Sequence, residues 1–387
     1  MKRWKATASF AVLQASMWGF YAIIVGYSSS FMYSHGFTDG HISIVLGITT
    51  ALSCVTQLVL AELIARLQKL TVYRVLLVLA GLLLVCAMLM RMEATAAAIA
   101  GLGLGLILLQ ALPAMANSIG MDSISQGSPL NYDIARGIGS FGYSSLSLVT
   151  GMLVSRLGVD VLWVLTLVDT LVFLSGVLLF HYTGEVTAPP KERVRQKREG
   201  SFLRAYPKFV LVLLGSIVLQ ISHNMVCSFL FQIVSCKGGD TSHQGIAAFV
   251  SAITEIPVMF AFGWLLKKKK CEFWLGFSAA VFVLKPLFLF LAADVWGVYA
   301  AQTTQMIGYA IHVMAAAYYA GSATDKNDMV RAQSYMTAAI PIGSLIANST
   351  GGFLCQDYTA QGMLLVSTAV AIVGGIIVIL GIRLNKK

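Results

Sequence analysis

The sequence predicts an all-α integral membrane protein of twelve transmembrane helices in two six-helix pseudo-repeats. Three observations carry that prediction. Of 387 residues, 57% are hydrophobic and only 11% are charged, against about 25% charged in a soluble domain. Apolar runs of spanning length, about 20 residues, recur twelve times. A single long polar stretch divides them six and six. Composition therefore excludes a soluble enzyme, a disordered chain and a nucleic-acid binder, in spite of the net charge of +10.

The twelve segments are expected over 6–32, 42–66, 72–91, 94–119, 135–156, 159–181, 208–234, 244–266, 272–291, 295–320, 330–353 and 360–383. The first follows a basic N-terminus but is too long for a secretory leader, so it reads as an uncleaved helix. Between the sixth and seventh lies Thr183 to Gly200, with Pro189-Pro190 followed by Lys191, Arg193, Arg195, Lys197 and Arg198. The predicted domains are a six-helix bundle over 1–182, a linker over 183–207 and a second bundle over 208–387.

Basic loops are retained on the cytoplasmic side. With both termini inside, 22 of the 27 lysines and arginines fall in inside segments. Only Arg91, Arg156 and Lys237 fall outside, while Arg136 and Lys285 lie within helices. The expected location is the inner (plasma) membrane, multi-pass, with both termini cytoplasmic. The linker and Lys267–Lys270 are placed to meet anionic lipid headgroups. Six cysteines are scattered without metal-ligand or redox spacing and read as small apolar fillers.

The two halves echo one another. Leu13-Gln14-Ala15-Ser16 in the first segment matches Leu219-Gln220-Ile221-Ser222 in the seventh. Thr56-Gln57 in the second matches Thr254-Glu255 in the eighth, and Arg136 opens the fifth as Arg331 opens the eleventh. Two parallel repeats are the architecture of a transporter with a central site.

An ionisable side chain inside hydrocarbon costs about 2.5–3.5 kcal/mol on insertion scales, so it faces the interior and has a partner or a task. The candidates are Arg136, Asp169, His223, Glu255, Lys285 and His312. Glu255, about halfway along its helix, is tolerated when protonated and needs a cation or hydroxyls when ionised, which is what proton coupling asks of a carboxyl group. Lys285 precedes Pro286, which breaks the local helix bonding, and Glu255 is its obvious partner by charge. Arg136 either caps its helix or aims a planar donor fork at a solute. Glycines 137, 139 and 142 allow a close neighbour. Asp169 either pairs with Arg136 or serves as a second proton site.

Two polar stripes stand out. Ser216, Gln220, His223, Asn224 and Cys227 share one face of the seventh segment, and Gln302, Gln305, Tyr309, His312 and Tyr319 one face of the tenth. Such stripes bond neighbouring helices or hold a hydroxyl-rich solute. Gln14, Trp18 and Tyr21 share a face of the first segment, fit for a sugar ring or nucleobase as well as for core packing. No nucleotide loop, metalloprotease or nucleophile-elbow motif is present, so neither enzyme chemistry, a cofactor nor a bound metal is expected.

On these residues the chain resembles the major facilitator superfamily, in the branch of lactose permease, the nucleoside permeases and the phenylpropionate permease. The resemblance spans nearly the whole length. The family segment YGRxRLWGSxG corresponds to Tyr132-Asp133-Ile134-Ala135-Arg136-Gly137-Ile138-Gly139-Ser140-Phe141-Gly142. The likeness implies that Arg136 is the sugar-binding arginine, Glu255 the eighth-helix glutamate and Lys285 the ninth-helix arginine, with Gln305 at the place of a coupling histidine. Three family acids are replaced. Ala65 stands at the aspartate of the loop after the second helix, Asn117 or Ser118 at the fourth-helix glutamate, and Gly308 at the tenth-helix proton carrier.

The expected function is therefore a monomeric secondary transporter working by alternating access. It would import a small polar solute, a sugar, oligosaccharide or nucleoside, by proton symport. Arg136, Glu255, Trp18, Tyr21, Gln220, His223, Asn224, Gln302, Gln305 and His312 would bind the solute. Glu255, Asp169, Lys285 and His312 would couple the proton. The rivals are a drug/proton antiporter of the same fold, and a non-transporting membrane receptor or assembly subunit.

Overall fold

A computed structural model describes residues 3–66, 71–180, 202–325 and 328–384. The basic cluster of the linker, Lys69 and the C-terminal lysines lie outside the described residues. Every regular element among the described residues is helical. Among the described residues ten stretches are long and apolar enough to cross a membrane. One of them, Arg331–Leu384, lies in an element, Met329–Leu384, that is two helices merged across Thr359, whose φ of 63° breaks it. Another crossing is assembled from short pieces over 295–322. The total is twelve, as the hydropathy pattern predicts.

We number these crossings α1 to α12. The first four are α1 (Arg3–Phe20, continuing to Ser34), α2 (Asp39–Arg66), α3 (Val72–Met90) and α4 (Thr95–Leu109 with Leu112–Ser125). Next come α5 (Tyr132–Leu157), α6 (Val161–Leu179), α7 (Pro207–Ser228 with Leu230–Cys236) and α8 (Thr241–Lys268). The last four are α9 (Cys271–Val281 with Leu284–Leu291), α10 (Val295–Thr303, Thr304–Met306 and Tyr309–Ser322), α11 (329–358) and α12 (360–384). Large side chains such as Leu58, Val78, Phe260 and Trp296 are exposed. A soluble surface rarely carries so much apolar area, whereas lipid accepts it.

The chain divides into two compact units, 1–36 with 48–197 and 37–47 with 198–387. In unit 1, α1 is the centre: Phe10, Leu13, Met17 and Phe20 are fully buried. Without a hydrophobic drive between helices in lipid, close packing of small residues does the work. A methyl group at Gly142 of α5 would lie 3.1 Å from the Ala15 backbone, and one at Gly176 of α6 would lie 2.9 Å from Leu13 N. In unit 2, Phe209, Phe262, Leu275 and Tyr319 form the core. The short helix Phe202–Ala205 joins it, with Phe202 stacked on Tyr335 at 5.1 Å.

The first turns of α2 belong to unit 2. Ser43 Oγ donates to Asn348 O at 2.7 Å and accepts from Gly352 N at 2.8 Å. Gln232 Nε2 donates to Asp39 Oδ1 at 2.9 Å.

Candidate functional site

The polar groups of unit 2 gather where its helices are irregular. Proline removes the bond to the carbonyl four residues back. Pro286 thus frees the Phe282 carbonyl, and α9 breaks at Phe282–Val283, as the sequence predicts. Beside it α10 tightens into a 3₁₀ turn at Thr304–Met306 and restarts at Tyr309. The two breaks touch: a methyl group on Gly308 would lie 3.3 Å from the Phe282 Cα. Lys285 and Gln305 sit on these breaks. In transporters, broken helices are where backbone and side chains become available to a solute.

Gln305 stands between the two expected charge partners. Lys285 Nζ donates to Gln305 Oε1, and Gln305 Nε2 donates to Glu255 Oε1. The expected Glu255–Lys285 pairing is thus relayed through an amide. Glu255 itself lies on α8 two residues before Pro257, and that helix runs on through the proline. Lys285 and Gln305 are buried. An ammonium in such a place is stable only with its hydrogen bonds made.

Around this chain lie the two stripes read from the sequence, and they meet. The His223 ring stacks on Tyr309 with centroids 3.8 Å apart and planes 8° from parallel. His312 reaches Ser216 Oγ at 3.2 Å and Ser278 Oγ at 3.4 Å through its two ring nitrogens. Phe282 presents its edge to His312. A cavity opens at the junction, lined by Ser222, His223, Phe282, Lys285, Gln305 and Tyr309. Cys227 Sγ lies 3.5 Å from His223 Nε2, on the stripe where the sequence places them both. Asn224 spends its amide on the Gln220 carbonyl at 2.8 Å. Gln220 Oε1, Gln302 Oε1 and His223 Nδ1 are buried without a protein hydrogen bond. Buried polar atoms of this kind bond to water or to a ligand.

Unit 1 carries a second, smaller group. The Arg136 guanidinium lies over the Trp18 ring at 4.4 Å and donates to Ser140 Oγ at 3.1 Å. Gly139 of α5 makes room for Trp18, whose Cδ1 would lie 2.8 Å from a methyl group there. Gln14 Nε2 donates to Asn117 Oδ1 at 2.9 Å, so Asn117 rather than Ser118 is the α4 residue that reaches α1. Tyr21 opens a π turn, Tyr21–Val25, and donates to the Leu109 carbonyl at 3.2 Å or Gln110 Oε1 at 3.3 Å, at the break of α4. Its hydroxyl is therefore engaged within the bundle.

Asp169 does not join Arg136. It lies against Gly19 and Leu146, and Leu146 is ten residues, roughly 15 Å at 1.5 Å per residue, along α5 from Arg136. No group of three or more His, Cys, Asp or Glu among the described residues is placed to hold a metal ion. Sequence reasoning left Ser278, Phe282 and the bridging place of Gln305 unread. Counting back from the Lys269–Lys270 turn would have put Glu255 and Lys285 at one level, since each is fifteen residues from Lys270.

Two bundles of apolar helices with polar side chains at buried helix breaks are the arrangement of a membrane transporter. The MFS_1 like family model matches residues 13–365, so the chain belongs to that family of the major facilitator superfamily. It is a multi-pass membrane transporter and not an enzyme. An aspartate-to-alanine variant of the nucleoside transporter NupG is similar in structure, with TM-score 0.78 and 11% identity, covering 97% of this chain and 99% of that one. A glutamate-to-glutamine variant of the peptide transporter POT has TM-score 0.73, 12% identity and coverage of 98% and 93%. A bacterial metal transporter has TM-score 0.69, 11% identity and coverage of 98% of both chains. No curated protein matches the chain by sequence.

Proposed function

We propose that the chain imports a small polar solute, a nucleoside or a sugar, by proton symport and alternating access. It would act as a monomer in the inner membrane with both termini in the cytoplasm. The observation that carries this reading is the Lys285–Gln305–Glu255 chain beside the His223–Tyr309 pair, with two amide oxygens and one imidazole nitrogen buried and left for a ligand's hydroxyls. A lipophilic drug would leave those atoms unpaired, at a cost of about 1–3 kcal/mol each. Gln220, His223, Gln302, Gln305, His312 and Asn224 supply hydrogen bonds and Glu255 takes hydroxyls. Arg136, Trp18 and Tyr21 of unit 1 are further solute-binding residues. Glu255 and Asp169 are the acids available to carry the proton, with Lys285 and His312 beside the solute. Lysines 267–270 meet lipid headgroups, Lys268 seated over Trp264 at 3.7 Å.

The test begins with a thermal-shift screen over nucleosides, sugars and aromatic acids, since a ligand of the folded state raises its melting temperature. A solute that stabilises the protein should also shield Cys227. In a chain with Cys236 replaced by serine, maleimide should label Cys227, and the solute should slow that labelling at least severalfold. Labelling that proceeds unchanged under saturating solute would move the site away from His223 and Lys285.

A further inference from the structure

Asp169 is a different kind of acid from Glu255. It lies at the middle of α6, residue nine of nineteen, and is 6% exposed. Its Oδ2 is buried without a hydrogen-bond partner. The facing residue is Gly19, where a methyl group would come within 2.8 and 2.9 Å of the two carboxyl oxygens. Helix α1 thus keeps a slot for a carboxyl group and offers it nothing to bond.

The helices packed on α6 bring no cation to that level. Helix α5 presents Leu146, and its arginines, Arg136 and Arg156, lie about ten residues to either side. Its other titratable groups are Tyr132 and Asp133 in the first turn, and Tyr143. Helix α3 holds Tyr73 and Arg74 at its start and the buried thiol of Cys86. Arg91, just past its end, sits over Trp163, about two turns of α6 from Asp169. Of the α1 phenols, Tyr21 is bonded at α4, Tyr27 donates to the Ser147 carbonyl at 2.9 Å, and Tyr33 is exposed at the end of the helix. An ionised carboxylate buried alone is far more costly than a neutral one.

One turn nearer the Gly158 end, Thr166 on α6 and Thr150 on α5 are fully buried, each with an unpartnered hydroxyl. Ser29 of α1, near the end of that helix, is a third. Buried hydroxyls of this kind bond to water. The lysine and arginine distribution makes this the outer end.

We propose that Asp169 is a proton-binding site of unit 1, reached from the outer face through water held by Thr150 and Thr166 and separate from the Lys285–Gln305–Glu255 chain. The proton adds to a carboxyl oxygen in the slot beside Gly19 and leaves as hydronium by the same hydroxyls, so no other group changes charge. The site deepens the symport reading, yet its first test needs no solute. Infrared difference spectra of the full chain in lipid vesicles, between acidic and alkaline buffer, should show a protonated-carboxyl band. That band should be absent in Asp169→Asn and present in Glu255→Gln. In Thr166→Val, which leaves the acid in place, the band should form severalfold more slowly after a pH jump. A band unchanged in Asp169→Asn, a band that sodium abolishes, or an unchanged rate in Thr166→Val overturns the proposal. In a second arm, Asp169→Asn should retain solute counterflow while accumulation under a pH gradient falls at least tenfold. Accumulation equal to the parent's also overturns it. A parent that moves no solute yet shows the band would refute the symport reading and leave the proton site standing.

Discussion

Replacing Lys285 with methionine is expected to destabilise the protein by about 3–5 kcal/mol, the cost of removing one member of a buried charged network. Two losses add. Gln305 Oε1 loses its donor, and Glu255, at the far side of the amide, loses its relayed cation. Adding Glu255→Gln should return most of that stability, because a neutral amide needs no counter-charge. Thermal unfolding of the parent, both single variants and the double variant gives the coupling directly. A value in the upper half of the range of about 0.5–3 kcal/mol found for groups in one network is expected. Strict additivity would mean that the acid and the base do not sense each other.

The second large effect is structural. A methyl group on Gly352 would sit 2.0 Å from the Asp39 carbonyl oxygen and 2.9 Å from Ser43 Oγ. Backbone cannot yield as a side chain does. Gly352→Ala must therefore part the start of α2 from α11, and the Ser43–Asn348, Gly352–Ser43 and Gln232–Asp39 bonds go with it. Overpacking and lost hydrogen bonds together should cost on the order of 3–5 kcal/mol. Hydrogen exchange should rise over residues 39–47. Gly81→Ala on α3 has open space around the added methyl group and should be neutral or slightly stabilising, because alanine is the better helix former.

Much of the fold was legible because lipid imposes a simple rule: a crossing is an apolar run of set length. Twelve runs and the break before Pro286 could be read directly. The glycines near Arg136 also announced a close neighbour, which proved to be Trp18 and Ala15 of α1. The site was legible as a set of residues but not as a set of contacts. Glu255 and Lys285 could be matched by charge, yet the amide between them depends on the 3₁₀ turn at Thr304–Met306, which hydropathy does not report. The Asp169–Arg136 pairing failed for a reason open to counting. Helices α5 and α6 run antiparallel about Gly158, so Asp169 is level with Ser147, and Arg136 with Phe180.

The central claim is that Glu255 and Arg136 act on a solute rather than only on their neighbours. Its most direct test is uptake into proteoliposomes under an imposed inward proton gradient, using the solute that the thermal-shift screen identifies. The parent should accumulate it, and Glu255→Gln and Arg136→Ala should each lose at least nine-tenths of that uptake while remaining folded. Uptake at the parent's rate by both variants would contradict the assignment of the site.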